Sequence, residues 1–537
     1  MKQILAIFSK DSRRFWPEIA VSLAITAAFV LVYPAQWREN NRVFGAVSYS
    51  IAGLFTHGGG LGFLAGCLVV LVPVSWWILI ARLVHGERLV GHTQFWLTRP
   101  YDWRRFLGAK LLFLAVFLYL PFLAAQMSLL AQAGFDPFAY LPSLLFNLVA
   151  VTGGLVLPLL AISAVTSGFG RMTLVLLGLI LFIIATSLLL SLRPGDIIGG
   201  IPSLVSGYLA FLVLAAGSAT AVLVQYARRH LRAAWLAITA VAVAFILLAL
   251  VDPDQSLMSR SYAADHDPPP VQFAYVLDEW RQSLAYGTAD KREYEIVIPF
   301  HASGVAQNGA VVPVALKAVM DGPGGQHWES PWQGALTERF LPGASDSAVR
   351  FRMRRTVYDQ LKSSPLTVHL VFAVDKAVLA GYSTIPLPQS SFSVAGLGVC
   401  TPQEQWFETP PEIIGIACLS ALHLPELTFM TVHWTEGPCK SDSEKSPFII
   451  GTGWVGALNP DPADFGITSV WDTSLNLSGW ADYRRQNPSR PRHLCPGSPV
   501  TFARFTRTGR TQLTLTIPNF RLPDLALGDQ YLQRYGG

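Results

Sequence analysis

Charge is scarce in this chain: 14% of its 537 residues are Asp, Glu, Lys or Arg, against roughly 25% in ordinary soluble proteins. Water therefore cannot be the only solvent of the fold. Several chemical signatures are missing as well. There is no GxxxxGK[ST] loop to cradle nucleotide phosphates, no HExxH, no CxxC, no GxSxG elbow and no paired Cys/His spacing for zinc. These absences exclude ATP hydrolysis by a Walker site, and no cofactor, metal or catalytic residue is assigned. The net charge of +5 is small for this length, and its Lys and Arg flank apolar runs instead of forming a patch, so nucleic acid is excluded as a partner.

What the sequence has instead is length without charge. A helix needs about 20 apolar residues to cross the hydrocarbon core, because unpaired backbone amides are too costly in lipid. Seven runs qualify: 15–33, 61–80, 111–130, 141–165, 172–192, 203–226 and 233–251. Trp16, Tyr33, Trp37 and Tyr226 sit at their ends, where interfacial rings are favoured. The first run follows Lys2 to Arg14 without a cleavage-site pattern and is read as retained. The runs hold almost no ionisable residue, so neither an embedded enzyme nor a polar substrate path is visible. Gln126, Asn147 and the prolines Pro73, Pro121 and Pro158 are read as packing or kink residues.

Basic residues near span ends resist translocation, and they choose one orientation. With the N-terminus in the cytoplasm, the inner side holds Lys2, Lys10, Arg13, Arg14, Arg82, Arg88, Arg99, Arg104, Arg105, Lys110, Arg171, Arg228, Arg229 and Arg232. The outer connections hold only Arg38, Arg42 and Arg193. Seven crossings then export everything after residue 251. The expected localisation is a bacterial cell (inner) membrane, multi-pass, with an extracytoplasmic C-terminal domain. Of five cysteines, Cys67 lies in an apolar run, and Cys400, Cys418, Cys439 and Cys495 all fall in the exported half. That even count suggests disulfides in an oxidising compartment, with three possible pairings; four buried thiols are the alternative.

The expected organisation is an interfacial N-terminal helix (1–14), a transmembrane bundle (15–251), a linker (252–270) and a β-rich extracytoplasmic domain (271–537). The prolines of 265–270 stop any helix. Segments 294–300, 311–318, 366–374 and 511–517 are β-branched and partly alternating, and they predict strands of an all-β sandwich. The run TRTGR (506–510) predicts a hairpin connection with Gly509 at positive φ. His301, His369, His423 and His433 are scattered and carry no assigned role. Asn476–Leu477–Ser478 matches a glycosylation acceptor of low specificity.

Three features of the bundle half go beyond hydrophobicity. Residues 1–16 predict an amphipathic helix with Ile4, Leu5, Ile7 and Phe8 on one face and Lys2, Lys10, Arg13 and Arg14 solvated; it either lies in the interface or merely orients the first span. Gly58, Gly62 and Gly66 are spaced four apart, which permits close helix packing within the chain or across a dimer. The connection 86–110 places Phe95, Trp96 and Leu97 before Pro100, then Trp103 and Phe106 among Arg104, Arg105 and Lys110. That pattern predicts a short amphipathic helix and a basic entry to the next span, or a loop held to anionic headgroups.

In that connection the chain resembles the permease subunits of ABC-2 type transporters. The matching residues are Phe95, Trp96, Leu97, Thr98, Arg99, Pro100, Arg104, Arg105, Gly108 and Lys110, with Glu87, Arg88 and Gly91 upstream. The family's interfacial N-terminal helix is similar to the segment holding Lys10, Asp11, Arg13 and Arg14. The resemblance covers about the first 250 residues. It implies a homo- or heterodimeric permease whose connection docks on a separate ABC ATPase subunit, with Phe95, Trp96, Arg99, Pro100, Arg104 and Arg105 at the coupling contact. The family core has six spans with insertions between them, and segment 193–202 matches either its re-entrant element or a plain turn. A reading of a different class is a membrane-anchored binding or sensing protein whose helices serve only as anchor.

Overall fold

The structure, a computed structural model, describes residues 2–40, 60–86, 103–191, 206–251 and 258–262 of the first half. In the second it describes 271–275, 283–287, 293–306, 308–334, 345–386, 391–394, 398–405, 412–421, 428–434, 453–455, 470–476 and 499–524. The described residues of the first half form the helices α1 (Lys2–Arg14), α2 (Trp16–Asn40), α3 (Gly60–His85), α4 (Trp103–Leu114), α5 (Leu120–Gln132), α6 (Leu141–Val151), α7 (Leu157–Val165), α8 (Phe169–Ser191), α9 (Ser206–Arg228) and α10 (Leu231–Val251). Among the described residues, six helical stretches are long and apolar enough to cross a membrane: Trp16–Pro34, Phe63–His85, Trp103–Gln132, Leu141–Val165, Leu209–Arg228 and Leu231–Leu248. Helix α8 is 23 residues long, and its stretch Phe169–Leu181 is apolar.

Two of these stretches contain the same irregularity. Between α4 and α5, residues Ala115–Tyr119 form a π-turn, and between α6 and α7 residues Thr152–Val156 form another. Leu120 N–H donates to Ala115 O and Leu157 N–H to Thr152 O, so each bond spans five residues. Each turn ends two residues before a proline, Pro121 or Pro158. A proline offers no N–H, and its ring strikes the carbonyl four residues back in a regular helix. One extra residue in the preceding turn moves that carbonyl aside, so the helix continues.

The bundle core is built from Phe29, Trp76, Leu83, Phe113 and Leu118, all nearly inaccessible. Trp76 and Phe122 meet edge to face at 5.1 Å. Lipid is as apolar as these side chains, so close packing and hydrogen bonding, more than the hydrophobic effect, hold the helices together. Accordingly Ser22 and Ser75 pair at 3.1 Å between α2 and α3, and two glycines permit contact with neighbouring helices. A side chain at Gly153 would meet the Phe211 ring at 2.5 Å, and one at Gly217 would run into Val241 Cγ2. Of the three glycines expected to do this, Gly66 is buried in α3, Gly62 lies in the same helix, and Gly58 falls outside the described residues.

The second half is antiparallel sheet. Strands β1 (Gln272–Tyr275), β2 (Leu284–Gly287), β3 (Glu293–Ser303) and β7 (Ser345–Arg354) form one sheet around β3. A larger sheet runs β13 (Gly453–Val455), β12 (Thr428–Trp434), β15 (Pro499–Phe520), β8 (Leu366–Pro386), β4 (Gly309–Asp321) and β5 (His327–Glu329), with β6 (Gln333–Gly334) also on β4. A third orders β14 (Val470–Asn476), β11 (Glu412–Ala421), β10 (Gly398–Gln405) and β9 (Phe392–Val394). The first two share a core. Phe372 of β8 meets Phe273 of β1 at 5.1 Å and Phe300 of β3 at 5.5 Å, and each such buried ring contributes about 1.5–3 kcal/mol. The short helix α11 (Arg355–Leu361) follows β7.

All four predicted strand segments lie within β3, β4, β8 and β15. The hairpin expected at 506–510 is not one. Strand β15 runs straight through TRTGR, still paired with β8, and the irregularity there is a bulge between Arg507 and Gly509. Gly509 is not among the glycines at positive φ. Pairing with β12 ends at Thr506, so the bulge lies where β15 loses a neighbour on one side. Both Arg507 and Arg510 there face Asp375.

Candidate functional site: the clamped end of the bundle and the seat of the β domain

At one end of the bundle α1 lies across the start of α4. Its residues Ile4, Ile7, Phe8 and Asp11, with Phe15 just beyond its end, recur at helical spacing and turn inward, whereas Lys2, Leu5, Lys10, Arg13 and Arg14 are exposed. Phe8 stacks on Phe117 at 5.7 Å and meets Phe113 edge-on at 6.4 Å. In the middle of this apolar contact Lys110 Nζ donates to Asp11 Oδ2 at 2.7 Å, with side-chain exposures of 2% and 1%. Lys110 also donates to Leu83 O at 3.3 Å and lies 5.0 Å from the centre of the Phe106 ring. One ammonium thus joins α1, α3 and α4.

Weaker contacts surround the pair. Arg105 donates to Gln3 Oε1 at 2.9 Å, Arg14 to Gly86 O at 3.3 Å and Arg82 to Glu18 Oε1 at 3.1 Å. The Arg104 guanidinium lies 5.5 Å from the Trp103 ring centre, and both Arg104 and Arg105 are exposed on the first turn of α4. Phe95, Trp96, Arg99 and Pro100 fall outside the described residues. His85 at the end of α3 shares a hydrogen bond of 3.1 Å with Thr166 beyond α7. The sequence reading missed the Asp11–Lys110 pair, although a signal was present. Asp11 shares a face with Ile4, Phe8 and Phe15, and an acid on the apolar side of a basic helix calls for a buried cation.

The β half meets the bundle at the 133–140 connection between α5 and α6. Leu419 and Ala421 of β11 belong to the same apolar cluster as the bundle core. Gly134 has φ +83°, and a side chain on it would strike Val399 of β10 at 2.8 Å, so only glycine fits there on two counts. Arg504 of β15 lies within electrostatic reach of Tyr140.

A second attachment follows α10. Met258 and Tyr262 are buried against Ala315, Trp332 and Ala373 of the large sheet, and Trp332 Nε1 donates to Ser259 Oγ at 3.0 Å. The packed β unit therefore includes 258–262, upstream of the proline-rich segment. Tyr262 Oη donates to Asp375 Oδ1 at 3.1 Å, and Arg507 and Arg510 approach that carboxylate at 3.5 and 3.7 Å. Burial, opposed by the two guanidiniums, raises the Asp375 pKa above the usual carboxylate range. Burial and the neighbouring Asp375 push the Tyr262 hydroxyl up, so it stays protonated as a donor.

Cys400 and Cys418 stand directly opposite each other in the β10–β11 register; Cys67 is a free thiol, and Cys439 and Cys495 lie outside the described residues. Among the described residues no group of three or more His, Cys, Asp or Glu is placed to hold a metal ion. His369 is half-buried and shares a hydrogen bond of 3.0 Å with Thr516. Comparison with known protein families and with characterised proteins gives no match.

Proposed function

We propose that this chain is the membrane-spanning permease subunit of an ABC-2 type transporter, driven by a separate ATPase subunit that docks on the 86–110 connection. The observation that carries this reading is the buried Asp11–Lys110 pair. It makes the amphipathic N-terminal helix and the helix emerging from the connection one mechanical unit, which a force applied to the connection requires. Phe95, Trp96, Arg99, Pro100, Arg104 and Arg105 are the proposed docking residues, since buried aromatics and Arg dominate such contacts. Assembly as a homo- or heterodimer in the bilayer belongs to the same reading.

The proposed topology has seven crossings, with α8 as the fifth, the N-terminus in the cytoplasm of a bacterial inner membrane and a sandwich-like β domain outside. Two observations support it. The length of α8 matches a crossing, and the β domain rests on the 133–140 connection, about 33 Å along the helical stretch from Lys110 at 1.5 Å per residue. An exported domain also suits disulfides among Cys400, Cys418, Cys439 and Cys495. Directly opposed residues of an antiparallel pair lie about 4.5–5.5 Å apart at Cα, within the range a disulfide spans, so Cys400–Cys418 is the proposed first pairing. Mass mapping under non-reducing conditions tests it.

The reading itself is tested by affinity capture of the full-length chain from native membranes. An ATP-hydrolysing subunit is expected to co-purify with the wild type and to be lost from Trp96→Asp. Its retention by Trp96→Asp, or its absence from the wild type, overturns the proposal.

A further inference from the structure

The two π-turns belong together. Thr152 Oγ1 lies 3.0 Å from Tyr119 Oη and 2.6 Å from Leu148 O. The Thr152 hydroxyl is the donor in both contacts, sharing its one hydrogen between Leu148 O and the Tyr119 oxygen across the gap. The last residue of one π-turn is thus bonded to the first of the other, and each turn sits near the middle of its crossing. Both lack the regular four-residue bond where they meet their proline, so bending there breaks fewer hydrogen bonds than bending a regular helix.

The surroundings are asymmetric in a way that favours movement. A side chain at Gly153 would run into Phe211 of α9, whereas one at Gly154 would meet nothing within 4 Å. The second π-turn therefore has a neighbour to lean on and open space beside it. At the end that carries α1, α4 is held by the Asp11–Lys110 pair. At the other end Gly134 of the 133–140 connection meets Val399 of the β half, whose Leu419 and Ala421 join the bundle's apolar cluster.

We infer that the paired π-turns, joined by Tyr119 and Thr152, form a hinge about which α5, α6 and the β domain seated on their connection tilt against the clamped α1–α4 end. From Tyr119 to Ala133 the lever is about 20 Å at 1.5 Å per residue, so a bend of about 20° displaces the connection by about 7 Å. The hinge does not rest on the permease reading: a failed capture of an ATPase leaves it standing, and a failed hinge leaves docking untouched.

The test uses the full-length chain in lipid nanodiscs, with Cys67→Ser and spin labels at the exposed positions Lys10→Cys and Phe138→Cys, read by pulsed electron resonance. The expected result is a distance distribution spread over about 7 Å, which narrows to one maximum in Pro121→Ala/Pro158→Ala, where regular helices are restored. Tyr119→Phe, which removes the bridging hydroxyl and keeps the ring, is expected to shift the populations within that spread and serves if the double variant does not fold. A single narrow distribution in the wild type, or a Tyr119→Phe distribution identical to it, overturns the hinge.

Discussion

Asp11 in the bundle and Asp375 in the β domain are both buried carboxylates, and the two are treated differently. Asp11 in the bundle is enclosed to 1% exposure with a single cation at 2.7 Å. Asp375 in the β domain is enclosed to 7%, with a tyrosine hydroxyl at 3.1 Å and two arginines beyond it that remain partly solvated. The first is an all-or-none contact between separate helices. The second is redundant, since any one partner can be lost while the others still face the charge. A clamp that must hold one geometry suits the first arrangement, and a support under a large sheet suits the second.

That contrast is broken most severely at Lys110. Lys110→Ala leaves Asp11 buried without its cation, and removing one partner of a buried pair costs about 3–5 kcal/mol. Thermal unfolding in nanodiscs is expected to record that loss, and Asp11→Leu/Lys110→Met to recover most of it. A loss in the double variant equal to that of Lys110→Ala would mean the pair does more than neutralise itself. In the β domain Arg510→Met is expected to cost only about 1 kcal/mol, as for one partly exposed charge contact among several, because Arg507 and Tyr262 remain. A loss as large as that of Lys110→Ala would erase the distinction.

The smallest effect is on pH. Because the folded-state pKa of Asp375 is raised, the folded domain holds its proton more tightly than the unfolded chain does. This contribution is fully present below the ordinary Asp value of about 3.9 and is lost as pH rises through the raised folded value. Denaturant titrations across that acid window are expected to show stability falling with pH in the wild type, with that component flattened in Asp375→Asn.

The six long apolar helices were legible in the sequence because a run of some 20 uncharged residues has few other fates, whereas the run expected at 172–192 lies in α8, whose apolar stretch is Phe169–Leu181. The strands at 294–300, 311–318, 366–374 and 511–517 were legible from β-branching. The bulge at Arg507–Gly509 was not, because a glycine between polar residues reads alike as a turn or as a kink in a continuing strand. The site was legible only in part. Lys110 and Asp11 each drew notice as single residues, and nothing in their 99-residue separation linked them. Gly153 and Gly217 passed unmarked while the regular spacing of Gly58, Gly62 and Gly66 stood out, since close approach depends on what the neighbouring helix presents.

By itself the sequence determined which stretches are long and apolar enough for lipid and where the apolar half gives way to the β half. Those follow from local composition, which acts whatever the surroundings, whereas α3 runs on through Pro73 while Pro121 and Pro158 follow π-turns. Only the tertiary structure decided that Asp11 meets Lys110, that Tyr119 meets Thr152, and that Leu419 and Ala421 rest on the bundle. Each is a contact between residues far apart in the chain, and its energy exists only once packing has removed the water between them.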